Sequence, residues 1–233
     1  ATVLVETGMV EVTEPETVVR LDVPAGLVEA RVQVEQGRAT SVTIRNVPSF
    51  LHASDVETNG VRHDLAFGGN FYAIADAASA GLTVDPANAD ELIAAGLELM
   101  AAIEEPVHPD NPDLRGVRHV IWTAPGRDGA DSRSAVAIHP GWVDRSPCGT
   151  GTSARMAQLW QRGDLALGEA FVHESLIGTR FTGRLVEETT VGGRPSAFPE
   201  ITCLACSPRR GQHLLHSVVP VPLAIRVGCR RRA

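Results

Sequence analysis

The density of strand-like runs most constrains what this chain can fold into. Thr17–Val23, Leu27–Val34 and Thr40–Val47 alternate or run β-branched, the two-residue period of a pleated strand. Pro24-Ala25-Gly26 supplies a turn between the first two, and Pro48 ends the third. Val61–Ala66, Val117–Thr123, Ser134–His139, Ala170–His173 and Arg180–Glu187 continue the pattern. The clearest helix is Asn88–Glu105: Leu92, Ile93, Gly96, Met100 and Ile103 share a face, Asp90 and Glu91 suit the first turn, and Pro106 stops it. A second helix follows a Gly/Ser/Thr-rich loop, with Thr152 or Ser153 as cap, Ala154 to Trp160 as body and Gly163 as end. Strands and a few helices that do not alternate as βαβ predict an α+β fold rather than a doubly wound sheet. A junction is expected near the Gly-containing aromatic segment Phe67–Ile74, dividing the chain into 1–66, 67–200 and a tail, 201–233.

Charge and cysteine usage exclude several functions. No apolar run reaches the ~18 residues of a membrane span, and Ala1–Val5 lacks the pattern of a signal peptide. The chain opens mid-pattern, as if the start of a helix had been cut away. All 21 basic residues are arginine. Six of them (Arg209, Arg210, Arg226, Arg230, Arg231 and Arg232) follow Glu200, after which no acid occurs. The remaining body is strongly acidic, which argues against nucleic acid as a partner. Pyridoxal phosphate is held as a Schiff base on lysine, and there is none here, so chemistry at an amino-acid Cα is expected to run without a cofactor. Of Cys148, Cys203, Cys206 and Cys229, only the first lies in the body, so no disulfide framework is predicted there and a reduced, cytoplasmic location is expected. Cys203, Cys206, His213 and His216 have metal-ligand chemistry, but their spacing is unlike zinc fingers and no metal is assigned. His52, His63, His108, His119, His139 and His173 are read as surface or strand residues.

Cys148 is the residue to explain. It stands where the Gly-rich loop meets the predicted helix, and a positive helix end favours a thiolate. Gly149 and Gly151 let the backbone approach a ligand, and N–H groups at 149–152 form a cradle for a carboxylate. Asp144 offers a negative charge to an ammonium group. The loop by itself is equally readable as a cap holding an inert buried cysteine, and Asp144 as a turn residue.

The run DRSPCGTGTSARMA at Asp144–Ala157 resembles the second-cysteine motif of the proline racemase family. ETGMVEVTEP, PAGLVEARV, RNVPSFL, VRHDLAFGGNFYAI, VHPDNPDL and FVHESLIGTRFTGRLVEETTVGG are similar to family segments in the family's order, over about residues 1–202. The resemblance implies two cysteines on opposite faces of the substrate Cα, one removing the proton and the other returning it. It makes Cys148 the second of that pair. It places the carboxylate on Gly149 and Thr150, the ring nitrogen by Asp144, and Phe67, Gly68, Gly69 and Asn70 at the pocket border. The implied fold is similar to diaminopimelate epimerase, two alike α+β domains each with a curved sheet around a central helix. Residues 1–66 would then be the remnant of an N-terminal domain, 67–200 a C-terminal domain, and 201–233 a divergent basic tail. The implied partner is a small imino acid, with a homodimer as one assembly.

The family's first cysteine sits in a Met-Cys-Gly-His-like motif just before the ETG segment, where this sequence has not yet begun. On that count the 233 residues alone are expected to show little racemase activity. GGNFYAI and FVHESLIG are closer to proline racemases. Hydroxyproline 2-epimerase and trans-3-hydroxy-L-proline dehydratase are the nearest alternatives. A cysteine acyltransferase or hydrolase, with His139 or His173 as base, or an inactive fragment, would be of another class.

Overall fold

The computed structural model describes residues 1–204. A five-residue helix, α1 (Thr2–Glu6), precedes a meander of β1 (Glu16–Val23), β2 (Gly26–Glu35) and β3 (Arg38–Arg45). β2 and β3 join through Gln36-Gly37, both with positive φ (53° and 73°), the I′ turn that matches strand twist. Asn59-Gly60 (φ 51° and 78°) does the same between β4 (Phe50–Thr58) and β5 (Val61–Phe67). β6 (Phe71–Asp76) and α2 (Ala89–Ala102) follow. β7 (Val107–His108) and β8 (Asn111–Arg115) form a small separate hairpin. Next come β9 (Val117–Pro125), β10 (Ser132–Ile138), β11 (Trp142–Val143) and α3 (Gly149–Arg162). β12 (Phe171–Ser175), β13 (Arg180–Val191) and β14 (Arg194–Leu204) complete the described chain.

Twelve strands make one mixed sheet in the order β1-β2-β3-β14-β13-β12-β10-β9-β6-β5-β4, with β11 on β10. β6–β9 and β10–β12 are parallel, and the rest are antiparallel. A mixed sheet with few helices is the α+β class that the non-alternating pattern predicts. β5 spans residues 66 and 67, and Ile44↔Ile201 pairs β3 with β14, so strands from both sides of that point share one sheet.

Strand alternation sorts the core onto the two helices. Val120, Trp122, Ala135 and Ala137 point to one face, where Leu92 and Leu99 of α2 pack. Ile121 and Val136, between them in sequence, point to the other, with Tyr72, Ile74, Cys148 and Ala154. A sheet covered on both faces must be apolar on both, which is why β9 and β10 are buried along most of their length. α2 lies close because Gly96 has no Cβ, which would stand 2.6 Å from the Ala137 Cβ. Trp122 Nε1 donates to the Leu92 carbonyl at 2.9 Å. α2 is shorter than Asn88–Glu105: Ile103 is already extended, and the approach to Pro106 disfavours helix. Of the tail's candidate metal ligands, Cys206, His213 and His216 lie outside the described residues. Among the described residues, no helix is long and apolar enough to cross a membrane.

α3 is tied to the sheet by Asp64. Its carboxylate, on a residue only 3% exposed, accepts from Arg162 Nε and Nη2 (both 2.7 Å), Gln158 Nε2 (2.6 Å) and the Asp55 N–H (2.8 Å). Burial alone would raise this carboxyl, but hydrogen bonds from Arg162, Gln158 and Asp55 hold it below its ordinary 3.8. A depressed folded-state pKa contributes stability that is present above the unfolded value and lost as pH falls through the folded one. Urea unfolding of the native protein and Asp64→Asn, compared from pH 6 down to pH 2, is therefore expected to show a native lead that shrinks below about pH 4. A lead independent of pH would refute this.

Candidate active site

The loop from β11 to α3 is shaped by its own side chains. Asp144 Oδ1 accepts from the Ser146 N–H (2.8 Å) and hydroxyl (2.9 Å), and the Ser146 Oγ accepts from the Cys148 N–H (3.1 Å). This Asx turn delivers Cys148 to the N-cap of α3 with φ 67° and ψ 117°. A non-glycine residue there carries strain of order 1–3 kcal/mol, a cost borne where position matters. Thr152 N–H donates to the Cys148 carbonyl (2.8 Å) and starts the helix.

The cap expected at Thr152 or Ser153 lies four to five residues too late, since Cys148 is the N-cap. α3 begins at Gly149 because both hydroxyls are drawn inward. Thr152 Oγ1 pairs with His173 Nδ1 (2.8 Å), and Ser153 Oγ donates to the Gly149 carbonyl (3.0 Å). Gly163 does end the helix, in left-handed geometry.

Cys148 is 8% exposed, and its sulfur meets two hydroxyls. Tyr72 Oη is 3.3 Å from Cys148 Sγ and 2.6 Å from Thr150 Oγ1, and Thr150 Oγ1 is 3.8 Å from the sulfur. Burial first, then the Asp144 carboxylate, push the Cys148 thiol up; Tyr72, the Gly151 N–H and Thr150 pull the other way. This corrects the expectation of a lowered thiol pKa. The helix end does reach the sulfur through Gly151, but desolvation outweighs it. Cys148 rests as a thiol. Burial, then Cys148, also raise Tyr72 well above its ordinary value, so its hydroxyl keeps its proton.

The other expected site residues fall into two groups. Gly149 and Thr150 open α3, and their N–H groups find no acceptor among the described residues. Space beside Gly149 is open, with nothing within 4 Å of where a Cβ would stand. Asp144 is half-buried in the preceding turn. Gly68 and Gly69, between β5 and β6, press on the same first turn: a Cβ on Gly68 would collide with the Thr150 carbonyl and stand 2.5 Å from the Ala154 nitrogen. Asn46 stitches the contact, donating to the Gly68 carbonyl (2.8 Å) and Ser153 Oγ (3.0 Å). Phe67, Gly69 and Asn70 border a cavity of about 160 Å³ with Arg118 and His119. Cys148 is not on its wall, nor on that of the 680 Å³ cavity beside Asp64 and Arg162.

Two site residues escaped the sequence reading. Tyr72 touches the sulfur, and His119 packs on Tyr72 with ring centroids 4.8 Å apart. Alternation along Phe71-Tyr72-Ala73-Ile74 would have put Tyr72 on the α3 face, had the segment been read as a strand. The bases named for acyl transfer do not reach Cys148. His139 is exposed beyond β10, and His173 is fully buried on Thr152, its pKa pushed down to about 3 by burial and then Arg155.

The proline racemase family model matches residues 1–223, beyond the residue 202 at which the recognisable motifs stop. The chain is 57% identical to a 4-hydroxyproline 2-epimerase of Streptosporangium roseum over 230 residues, covering 95% of this chain and 69% of the relative. It is 42% identical to a proline racemase of Acetoanaerobium sticklandii, covering 87% and 63%. A crystal structure of a hydroxyproline epimerase from Agrobacterium vitis, with bound trans-4-hydroxy-L-proline, superposes with a TM-score of 0.82 at 46% identity, covering 86% of this chain and 61% of that one. The chain thus spans roughly three fifths to two thirds of the length of these relatives.

Proposed function

We propose a reaction from the premise that the chain belongs to the proline racemase family: proton exchange at the Cα of a free imino acid, with Cys148 serving one face. The observation that carries it is a cysteine strained to positive φ at a helix N-terminus, beside open N–H groups at Gly149 and Thr150. Those N–H groups take the substrate carboxylate, the arrangement that suits an anion at a helix start. Asp144 lies on the side of the substrate's cationic nitrogen. The Cys148 thiol gives its proton to one face of Cα as a second group removes the proton from the other, and the roles reverse in the opposite direction. The other described cysteine, Cys203, packs in β14 against the meander core and not at this site.

The substrate we favour is 4-hydroxyproline rather than proline, because the relative at 57% identity carries the epimerase name. The segments GGNFYAI and FVHESLIG, read as closer to proline racemases, point the other way, and the overall identity, 57% against 42%, is what favours the epimerase. The chemistry needs no electron-sink cofactor, consistent with a sequence that has no lysine. Working free thiols suit a reduced, cytoplasmic setting. The test is chiral chromatography after incubating the full-length protein with trans-4-hydroxy-L-proline and, separately, L-proline. Conversion of the first to the 2-epimer, at least tenfold faster than racemisation of the second, is expected. Faster turnover of proline would assign the racemase instead, and loss of water from a hydroxyproline the dehydratase. Absence of all three would overturn the family reaction for this protein.

A further inference from the structure

Tyr72 is fully buried, yet its hydroxyl is placed between two polar atoms of the Cys148 turn. We propose that Tyr72 is a positioning residue for Cys148: its hydroxyl donates to Thr150 while the sulfur carries a proton, and turns to the sulfur when that proton leaves. The inference rests on the reading of Cys148 as a proton-transfer group and adds the element that stabilises its thiolate.

The geometry requires a choice of partner. A phenol has one hydrogen to donate, and Oη is within reach of both Thr150 Oγ1 (2.6 Å) and Cys148 Sγ (3.3 Å). Rotation about the single C–O bond moves the hydrogen from one to the other with no heavy atom displaced. When Cys148 is a thiol, the short contact to Thr150 takes the hydrogen. When Cys148 is a thiolate, the charged acceptor takes it, and the Thr150 hydroxyl donates to Tyr72 Oη behind it. Two hydroxyls in series then face the anion in a buried setting, where such chains reinforce one another. Tyr72 does not ionise in competition, because burial and the neighbouring sulfur keep it neutral.

The groups facing the sulfur account for its balance. From β6 comes Tyr72, from α3 the Thr150 hydroxyl and the Gly151 N–H, and from the loop the Asp144 carboxylate, which opposes the thiolate. His119 of β9 covers the outer side of the Tyr72 ring. It stays neutral because burial lowers its pKa further than Asp144 raises it. Of these, the Tyr72 hydroxyl makes the shorter contact with the sulfur, 3.3 Å against 3.8 Å for Thr150 Oγ1, and can move its hydrogen from Thr150 to the sulfur.

The experiment is alkylation of Cys148 by iodoacetamide as a function of pH, read by peptide-resolved mass spectrometry so that Cys203, Cys206 and Cys229 are counted separately. In Tyr72→Phe, the midpoint is expected to rise by about one pH unit and the rate at pH 8 to fall roughly tenfold, the loss of one hydrogen bond to a charged group. An unchanged midpoint overturns the proposal. A merely structural role for Tyr72 would lower the melting temperature without moving the midpoint. If Tyr72→Phe does not fold by circular dichroism, Thr150→Val and Thr150→Ser are compared instead. The first should raise the midpoint and the second leave it, while equal midpoints overturn the proposal. The reading needs no turnover. A shifted midpoint in a protein that does not epimerise sinks the proposed function and leaves the relay standing; the converse result does the opposite.

Discussion

Serine in place of Cys148 is expected to slow epimerisation by about 100- to 10,000-fold, the contribution of a positioned general acid or base. The hydroxyl of serine holds its proton far more tightly than a thiol, so it neither protonates Cα at a useful rate nor accepts the proton back. The fold should be spared. Serine is smaller than cysteine, its backbone has the same difficulty at φ 67°, and the Asp144–Ser146 turn that sets this angle is untouched. The measurement pairs initial rates by chiral chromatography with a thermal melt. Activity within tenfold of the native protein, at an unchanged melting temperature, would remove Cys148 from the chemistry.

The second large effect is on stability. Alanine at Gly68 is expected to cost about 3 kcal/mol, the upper part of the overpacking range. The added methyl would meet the Thr150 carbonyl and the Ala154 nitrogen, both backbone atoms of α3 that cannot swing aside. Relief requires the β5–β6 turn to back away from the helix, which also strains Asn46, whose amide bridges Gly68 and Ser153. Gly69→Ala is a graded comparison. Its Cβ would stand 2.9 Å from the Thr150 Cγ2, a side-chain atom, but its φ of 109° adds strain of its own. Chemical denaturation of Gly68→Ala showing a loss under 1 kcal/mol would contradict the close contact. Activity is expected to fall with it, since Thr150 sits against both the turn and the sulfur.

How much of this was legible in the residues differs by element. The meander of β1 to β3 and the strands β9, β10 and β12 follow from alternation and were predicted close to their ends. β4 and β14 were missed although each borders an I′ turn with its usual residues, Asn59-Gly60 and Gly192-Gly193. These dipeptides were the available signal. β6 was missed because glycines next to aromatics read as a bend, and with it went Tyr72. The loop at Asp144–Cys148 stood out by composition, and Gly149 and Thr150 do open a helix there. The cap was misplaced because a hydroxyl at Thr152 looks the same in sequence whether it caps its helix or reaches across to His173.

By itself the sequence determined the α+β class, the family and the one body cysteine at a helix start, since these depend on local pattern and on motifs contiguous in the chain. Only the tertiary structure decided the protonation of that cysteine and the company it keeps. Desolvation and the approach of Tyr72, 76 positions away, arise when β6 and α3 pack together. A thiol's pKa is a property of everything around it, and the phenol and the apolar wall that bury Cys148 come from strands distant in sequence.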